Sequence, residues 1–341
     1  MNTRICKLDK KNAEQITDEA AEIIQNGGLV VFPTETVYGI GGDAMNEESA
    51  SKIYMAKGRP SDNPLIVHID SMDMLSMVAE NFNDKAKKIA KAFWPGPLTL
   101  ITDKKTTVPY KTTGGLDTVA IRMPENETAR KIIKKSGTPI AAPSANISGR
   151  PSITSAEFLT NEFDGKVDMI ILGDDSKIGI ESTVVNTISE RITVLRPGYI
   201  TVSDIEKLMG EKVEVHATAV SKGDKVISPG MKYTHYSPNC KLYIVQGTDA
   251  EKISKIQRGL EEDKNRGIKS IAVAGKNMGE FFTEFISFGD SYEDMAKNMF
   301  KIFRKLDEQG YRKAYVTALE PLGIGLSVMD RLEKAAAHRE I

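Results

Sequence analysis

Residues 32–44 read FPTETVYGIGGDA and continue the apolar run LVVF at 29–32. The run is typical of a buried strand, and Pro33 ends it because proline has no backbone N–H to give to a sheet. Two threonines, a glutamate and a tyrosine follow, and then three glycines whose missing side chains allow backbone N–H groups to approach a ligand. The stretch therefore predicts a strand that ends either in a binding loop or in a glycine-rich turn leading to a helix.

The same alternation of apolar runs and helical periodicity extends through residue 210. Strands are predicted at 29–32, 65–69, 98–102, 119–123, 139–143, 169–172, 182–188 and 192–196. Helices are predicted at 14–26, 47–57, 83–93, 126–135 and 154–161. The glycine- and proline-marked loops between them are long, and such loops often carry function on a sheet scaffold. The pattern predicts an α/β domain at 1–210 with a twisted mixed sheet.

The composition changes after residue 210. Residues 211–240 show no sustained helical period and are punctuated by glycine and proline, which predicts an interdomain linker. Strand candidates at 242–246, 269–275 and 313–319 then alternate with helices near 249–264, 291–309 and 326–337. This order predicts a small Rossmann-like, doubly wound parallel α/β domain at 241–341.

Composition excludes several classes of protein. A net charge of −1 is not that of a bulk nucleic-acid binder, although it leaves room for a local basic pocket. Two distant cysteines form neither a disulfide scaffold nor a metal motif. The first residues lack the apolar core of a signal peptide, and no apolar run is long enough to span a membrane. We therefore expect a cytoplasmic protein that makes no membrane contact.

The stretch KGRPSDNPLIVH at 57–68 places Lys57 and Arg59 on either side of a glycine. Two cations on a tight backbone suit a polyphosphate, to which arginine offers a fork and lysine a point charge. The alternative is a solvated helix end, where cations are also favoured. Asn63 can add an amide contact, whereas His68, in an apolar run, is either a ligand-binding histidine or a core one.

Two later stretches place polar side chains in or after strand candidates. In TVAIRMP at 118–124, Arg122 either faces solvent or is buried beside a partner, and in a pocket it would suit a carboxylate ligand. In APSANISGRPS at 142–152, Ser144 and Asn146 follow a strand end and can bind phosphate or ribose oxygens without adding charge. The alternative there is an ordinary Ser/Asn turn before a capped helix.

Three further motifs complete the set. GIESTVVN at 179–186 puts Ser182 at a strand start, and VLRPGYI at 194–200 puts Arg196 at a strand end, both of which are positions where pocket residues lie. SPGMKYTHYSP at 228–238 is aromatic and basic and falls in the predicted linker, which suits a lid. Walker, dinucleotide-binding, zinc-protease, nucleophile-elbow and kinase signatures are missing.

Taken together, the chain resembles the threonylcarbamoyl-AMP synthases of two-domain type, in which a YrdC-like catalytic domain precedes a smaller C-terminal domain. The matching motifs are PTETVYGIG, KGRPSDNPLIVHI, FWPGPLTL, VAIRMP, APSANISG, GIESTVV, LRPG and SPGMKYTHYSP. They run in consistent order through residue 238, whereas the last 100 residues match only in size, position and α/β character.

The resemblance implies an enzyme that joins L-threonine, bicarbonate and ATP, as the Mg²⁺ complex, into threonylcarbamoyl-adenylate and releases pyrophosphate. A separate tRNA threonylcarbamoyl transferase complex would consume the product, and the synthase itself would need no stable nucleic-acid binding. No dedicated metal site is expected, because Mg²⁺ would be held by the triphosphate. The FWPGPLTL corner is interpreted as packing at a turn.

The resemblance also assigns residues to the two substrates. Threonine would be held by Thr36, His68, Arg122 and Ser182, with Arg122 on the carboxylate. ATP would be held by Lys57, Arg59, Asn63, Thr118, Ser144, Asn146, Ser152, Arg196 and Tyr236, of which Lys57 and Arg59 would be the catalytic cations. Thr234 departs from the family, where arginine or lysine is expected in the lid.

Two other functions fit parts of the pattern. A YrdC-like module can be a non-catalytic binder of tRNA or double-stranded RNA, which the absence of net positive charge argues against. A carbamoyl-transferring maturation enzyme shares a similar domain but adds zinc-finger and transferase modules, for which two cysteines and 341 residues leave no room.

Overall fold

The structure is a computed structural model, and it describes residues 2–216 and 236–341 of the chain. The described residues form two compact units. The first contains 2–148, 153–177 and 181–216, and the second contains 149–152, 178–180 and 236–341. The predicted boundaries at 210 and 240 stay predictions, because residues 217–235 lie outside the described part of the chain.

The first unit contains a mixed sheet and the helices that cover it. Its strands are β1 (Arg4–Lys7), β2 (Val30–Phe32), β3 (Gly39–Asp43), β4 (Ile66–His68), β5 (Ala79–Asn81), β6 (Leu98–Lys104), β7 (Thr118–Arg122), β8 (Ile140–Ala141), β9 (Met169–Leu172), β10 (Thr183–Asn186), β11 (Thr193–Arg196) and β12 (Glu214–Val215). Its helices are α1 (Ala13–Gln25), α2 (Glu47–Lys57), α3 (Met72–Leu75), α4 (Asp84–Phe93), α5 (Glu127–Ser136), α6 (Leu159–Phe163) and α7 (Val202–Met209).

The strands of the first unit follow the order β1-β9-β2-β3-β8-β4-β7-β6-β10-β11-β12, and β5 pairs with β6. The sheet contains both parallel pairs, such as β4 with β7, and antiparallel pairs, such as β6 with β7. The predicted mixed sheet is therefore confirmed. On it, α1 places Ile16, Ala20 and Ile24 in one apolar cluster with Ile132 and Ile133 of α5, as the helical spacing of these residues requires.

Residues 39–43 form a strand, not the glycine-rich loop that the sequence suggested. β3 pairs antiparallel with β2 and is buried along most of its length. A side chain at Gly41 would lie 2.6 Å from the Phe32 ring and 2.7 Å from Ile140. The glycine is therefore needed for packing inside the sheet, and the interpretation as a ligand-binding backbone is wrong for this position.

Helix α2 ends where the predicted phosphate-binding stretch begins. Its C-cap, Gly58, has φ 58°, a left-handed conformation that glycine adopts without strain. The N–H groups of Gly58 and Arg59 donate to the carbonyls of Met55 and Tyr54, which closes the last turn. Lys57 is thereby fixed as the last helical residue, and it is 1% exposed.

The second unit is a small parallel α/β fold. Its strands are β13 (Lys241–Val245), β14 (Ser270–Ala274), β15 (Phe285–Ser287) and β16 (Lys313–Thr317), in the order β13-β16-β14-β15. Its helices are α8 (Asp249–Asn265), α9 (Lys276–Gly279), α10 (Tyr292–Glu308) and α11 (Ile324–Ala335). All pairs are parallel, which confirms the predicted doubly wound domain. No helix in the described ranges is long and apolar enough to cross a membrane.

Candidate active site

Four polar side chains lie in one row across the sheet of the first unit. His68 of β4 pairs in register with Arg122 of β7, and Arg122 pairs with Thr99 of β6. Thr99 pairs with Val184 of β10, which pairs with Arg196 of β11. Because residues opposite each other on paired strands project from the same face, these side chains share one face of the sheet.

The centre of the row is Arg122, whose side chain is 5% exposed. Its Nη2 lies 2.5 Å from Oε1 of Glu35, its Nη1 donates to Oγ1 of Thr36 at 2.9 Å, and its Nε donates to the carbonyl of Gly96 at 3.3 Å. A buried guanidinium must be paired and hydrogen-bonded, and these three contacts meet that need. They orient the side chain from three sides.

The turn that carries Glu35 and Thr36 is organised by Thr34. Its hydroxyl donates to the carbonyl of Val37 at 2.6 Å and lies 3.0 Å from Oγ1 of Thr36. The same oxygen of Thr34 accepts from the backbone N–H groups of Thr36 and Val37, at 3.2 and 3.3 Å. Thr36 accepts from Arg122, so its hydroxyl is held between Arg122 and Thr34.

Glu35 is a buried carboxylate whose two oxygens both have partners. Oε1 contacts Arg122, and Oε2 accepts from the backbone N–H of Asn126 at 3.2 Å, just before α5. Burial opposes ionisation, but the charge and hydrogen bond of Arg122 hold the pKa of Glu35 below its ordinary value. The side chain is therefore a carboxylate at neutral pH.

His68 is 3% exposed and uncharged. Burial, and after it the neighbouring Arg122 charge, lower the pKa of His68 to about 3. Its Nδ1 lies 3.2 Å from the carbonyl of Ile66, which suits a neutral ring that donates from this nitrogen. The structure brings His68 beside Arg122, as expected of two residues predicted to share a ligand.

Ser182 and Arg196 contact each other directly, although they were assigned to different substrates. Nη2 of Arg196 lies 2.9 Å from the carbonyl of Ser182 and 3.1 Å from its hydroxyl. The same hydroxyl lies 2.8 Å from Oγ1 of Thr99, which is fully buried. The two predicted subsites therefore adjoin at Ser182.

Lys57 holds the loop that carries Ser144 and Asn146. Its ammonium group donates to the backbone carbonyls of both residues, and its own carbonyl accepts from the N–H of Ser148 at 2.8 Å. Oγ of Ser144 donates to the side-chain oxygen of Asn146 at 2.6 Å. The predicted phosphate cradle is thus brought together, with Lys57 as the anchor of its loop.

Arg59 and Asn63, which were also predicted to bind the phosphates, contact each other. Nη2 of Arg59 donates to Oδ1 of Asn63 at 2.6 Å and to the carbonyl of Pro64 at 3.0 Å. Asn63 is buried, whereas Arg59 is half-buried. The guanidinium is therefore supported from its own loop at the surface of the unit.

An apolar strip lies beside the polar row on the same face of the sheet. It comprises Ile66, Ile101, Ala120, Val184 and Leu195. Thr118, the first residue of β7, projects to this face as well, about 13 Å from Arg122 at the usual rise per residue. The face thus carries the polar row next to the apolar strip. A nucleoside, which has a polar sugar and an apolar base face, is complementary to such a surface.

Ser152 and Tyr236 belong to the second unit. Arg304 of α10 donates to the carbonyls of Pro151 and Ser152, and Ser152 is fully buried. The Tyr236 ring packs on Phe300 of α10 with centroids 5.1 Å apart, and it is 5% exposed. Residues 217–235 of the predicted linker and lid, including Thr234, lie outside the described residues.

Three residues of the site were not among the sequence-predicted ones. Glu35 lies within PTET, and the available signal was an acidic residue between two threonines directly after a predicted strand. Gly96 belongs to the FWPGPLTL corner, which was interpreted as packing alone, and its carbonyl nevertheless contacts Arg122. Thr99 had no local signal, since its role depends on the β6–β10 register.

Within the described ranges, no group of three or more histidine, cysteine or acidic side chains has the arrangement of a metal site.

Two family models together match nearly the whole chain. One, Sua5_yciO_yrdC, described as "Telomere recombination", matches residues 22–198. The other, described as "Threonylcarbamoyl-AMP synthase, C-terminal domain", matches residues 200–337. The match of both models in this order supports the two-domain arrangement.

Similar proteins carry the same name. The threonylcarbamoyl-AMP synthase of Pyrococcus abyssi is 44% identical over 94% of either chain, and that of Bacillus subtilis is 40% identical over 95% of this chain and 93% of its own. The crystal structure of P. abyssi Sua5 in complex with L-threonine superposes with a TM-score of 0.93 at 41% identity, covering 100% of this chain and 99% of that one. The chain belongs to the threonylcarbamoyl-AMP synthase family.

Proposed function

We propose that the protein converts L-threonine, bicarbonate and ATP into L-threonylcarbamoyl-adenylate and pyrophosphate. The observation that carries the proposal is the buried Arg122 cluster, a charged site fit for an amino acid carboxylate beside an apolar strip. The full-length similarity to two proteins named threonylcarbamoyl-AMP synthase, and to a relative solved with L-threonine, supports it.

The proposed chemistry has two steps. The threonine amine and bicarbonate give a carbamate and water, and a carbamate oxygen then attacks the α-phosphorus of ATP. The bond from the α-phosphorus to its bridging oxygen breaks, and pyrophosphate leaves. Such a displacement asks the protein for positioning and charge stabilisation and for no covalent nucleophile.

The proposed threonine site lies along the polar row. Arg122 would bind the carboxylate through a fork, which suits the planar geometry of both groups. Thr36, whose hydroxyl is held between Arg122 and Thr34, would contact the amine or hydroxyl of threonine. The neutral ring of His68 and the hydroxyl of Ser182 would bound the same pocket without adding charge.

The ATP side uses the cradle and the apolar strip. Arg59, Asn63, Ser144 and Asn146 would contact the phosphates, and Lys57 would add its charge while it holds the Ser144–Asn146 loop. The other proposed nucleotide contacts are Thr118, Ser152, Arg196 and Tyr236. Mg²⁺ would enter with ATP, held by the phosphates, as is usual for this ion.

The chemistry of the product indicates the next reaction. A mixed anhydride of a carbamate and AMP is an activated acyl donor, so we expect a separate tRNA-modifying transferase complex to consume it in the cytoplasm. Stable binding of tRNA by this protein is not required for the proposed step.

The decisive test is pyrophosphate release by the pure protein with Mg²⁺ and ATP. We expect release only when both threonine and bicarbonate are present. Pyrophosphate release without threonine, or without bicarbonate, would overturn the proposal. Tight, salt-sensitive tRNA binding without turnover would overturn it as well.

A further inference from the structure

Glu35 is a buried carboxylate in a turn whose two threonines already have roles. Its side chain is 2% exposed, and its nearest charged partner, Arg122, lies on a strand 87 residues further along the chain. Burying a carboxylate costs free energy that only good hydrogen bonds and an opposite charge offset. A plain hydrophobic residue would pack this turn at lower cost, so the charge needs an explanation.

The hydrogen bonds of Arg122 supply one. A guanidinium has five N–H groups, one on Nε and two on each terminal nitrogen. Gly96 takes the N–H of Nε, Thr36 takes one N–H of Nη1, and Glu35 takes one N–H of Nη2. Among the contacts of the described residues, one N–H remains on each terminal nitrogen, and two such groups match the two oxygens of a carboxylate.

We propose that Glu35 is the positioning residue that holds Arg122 in place for the carboxylate of the amino acid. Glu35 itself is held through its second oxygen by the N–H of Asn126, so the turn, the end of β7 and the start of α5 form one connected support. The inference rests on the proposed function, because it concerns the substrate of that same site.

The charges support a positioning role over a purely structural one. Glu35 and Arg122 together carry no net charge, and His68 beside them is neutral, so this cluster carries no net charge before a carboxylate binds. When a carboxylate binds, it shares the guanidinium with Glu35 and finds the fork already oriented. A preorganised site binds more tightly, because less freedom is lost on binding.

The test compares Glu35→Gln with Glu125→Gln. Glutamine keeps the size of Glu35 and an oxygen for Arg122, but it removes the charge and presents an amide where Asn126 donates. Glu125 is exposed and lines the same cavity of about 290 Å³ as Glu35, so its glutamine variant is a matched control for the loss of one negative charge.

We expect Glu35→Gln to raise the KM for threonine by about 10-fold or more, the size of a lost charge-assisted hydrogen bond. The KM for ATP should stay unchanged, and so should both constants of Glu125→Gln. A structural role alone would reduce the folded fraction and hence kcat, and would leave the KM for threonine as it is. That result, or an equal rise for ATP, would overturn the proposal.

Two further measurements test the positioning role if Glu35→Gln does not fold or if the proposed function fails. If Glu35→Gln does not fold, Glu35→Asp, which keeps the charge but shortens the side chain, should show the same selective rise, and an unchanged threonine KM there would refute the role. Threonine binding by calorimetry, without ATP, should weaken in step. If the wild-type protein binds threonine but makes no product, the proposed function fails while the positioning role still stands on this binding difference.

Discussion

Each of the two units buries a carboxylate against a cation on a strand, but the two pairs differ in what they leave available. In the first unit Glu35 pairs with Arg122, and the side chains are 2% and 5% exposed. In the second unit Asp263 of α8 pairs with Lys313 of β16, and the side chains are 2% and 21% exposed. Both pairs have an N–O distance of 2.5 Å.

In the second pair, both oxygens of the carboxylate have donors on the same strand. Asp263 takes its donors from one strand, Lys313 through Nζ and Tyr315 through a hydroxyl 2.8 Å away, and this joins α8 to the strand it covers. Arg122 keeps N–H groups for a ligand after its three partners are counted. Lys313 is partly exposed, so water can reach its remaining donors, whereas those of Arg122 are buried. Burial and pairing alone thus do not mark a binding site; buried donors that remain after pairing do.

The largest expected effect separates the two pairs by function. Arg122→Lys keeps the positive charge opposite Glu35 but loses the fork, and the two side chains are not interchangeable where a carboxylate is bound bidentately. We expect kcat/KM for threonine to fall about 100-fold, which is about 2.7 kcal/mol, with little change in the KM for ATP. Initial rates of pyrophosphate release at varied threonine and varied ATP measure both constants.

Arg130→Lys is the matched control for that variant, since Arg130 is exposed on α5. It should leave both constants at wild-type values. If Arg122→Lys raised the KM for ATP as much as that for threonine, the assignment of Arg122 to the amino acid would be wrong.

Much of this architecture is readable from the sequence. Apolar runs between glycines and prolines predicted most strands, and polar side chains at strand ends, together with the resemblance, indicated the residues that the sheet brings into one row, such as His68 and Arg122. These signals are local, since they depend on strand periodicity and on the residue types next to a strand end.

Non-local contacts escaped the sequence. Glu35 and Arg122 are 87 residues apart, and Thr99 and Ser182 are 83 apart, so only the strand order brings them together. The glycines of β3 were misinterpreted for a related reason, because the ring of Phe32 that excludes a side chain at Gly41 belongs to the paired strand. The contacts of Lys57 are a third case. Its partners are backbone carbonyls, which every residue has, so the residue types in the sequence do not indicate them.

The second prediction concerns the pair in the second unit. Asp263→Asn removes the charge that Lys313 and Tyr315 share, and we expect the free energy of unfolding to fall by about 2 kcal/mol. Lys313 is partly exposed, so water compensates some of the loss. Hydrogen exchange of the amides in β14 and β16 measures the change.

The KM for threonine should not change in Asp263→Asn. Glu261→Gln, an exposed acid on the same helix, should change neither quantity. A rise in the threonine KM of Asp263→Asn would contradict the view that this pair is purely structural.

The third prediction uses the neutral His68 to probe the row around Arg122. Its pKa of about 3 in the folded protein lies well below the ordinary value of 6.5, so the unfolded chain binds the additional proton between these values. The stability contributed by the neutral ring is complete above about pH 6.5 and is lost toward pH 3 by about 1.4 kcal/mol per pH unit.

Trp94 is the single tryptophan of the chain and lies in the first unit, so its fluorescence reports unfolding there. Urea unfolding at pH 6.5 and pH 5 should show a smaller pH dependence for His68→Gln than for the wild type. The exposed His338, replaced in the same way, should leave the dependence unchanged. Equal slopes for wild type and His68→Gln would show that the ring is not buried in its neutral form.

The smallest expected effect tests whether the hydroxyl of Thr99 in the polar row contributes to threonine binding. Thr99→Val keeps the shape of a fully buried side chain but removes the hydroxyl that lies 2.8 Å from Oγ of Ser182. Ser182 keeps its contact with Arg196, so the loss is about 1 kcal/mol, and we expect the KM for threonine to rise about 5-fold.

Thr102→Val is a close control, because Thr102 is buried in the same strand and its hydroxyl donates to one partner, the backbone carbonyl of Asn81. Residue 102 projects to the opposite face from residue 99, since side chains alternate along a strand. Both variants should lose similar stability, whereas only Thr99→Val should change the threonine KM. Equal KM values would mean that the hydroxyl contact of Thr99 holds the sheet together in the same way as the contacts of Asp263, and does not position Ser182 for a ligand.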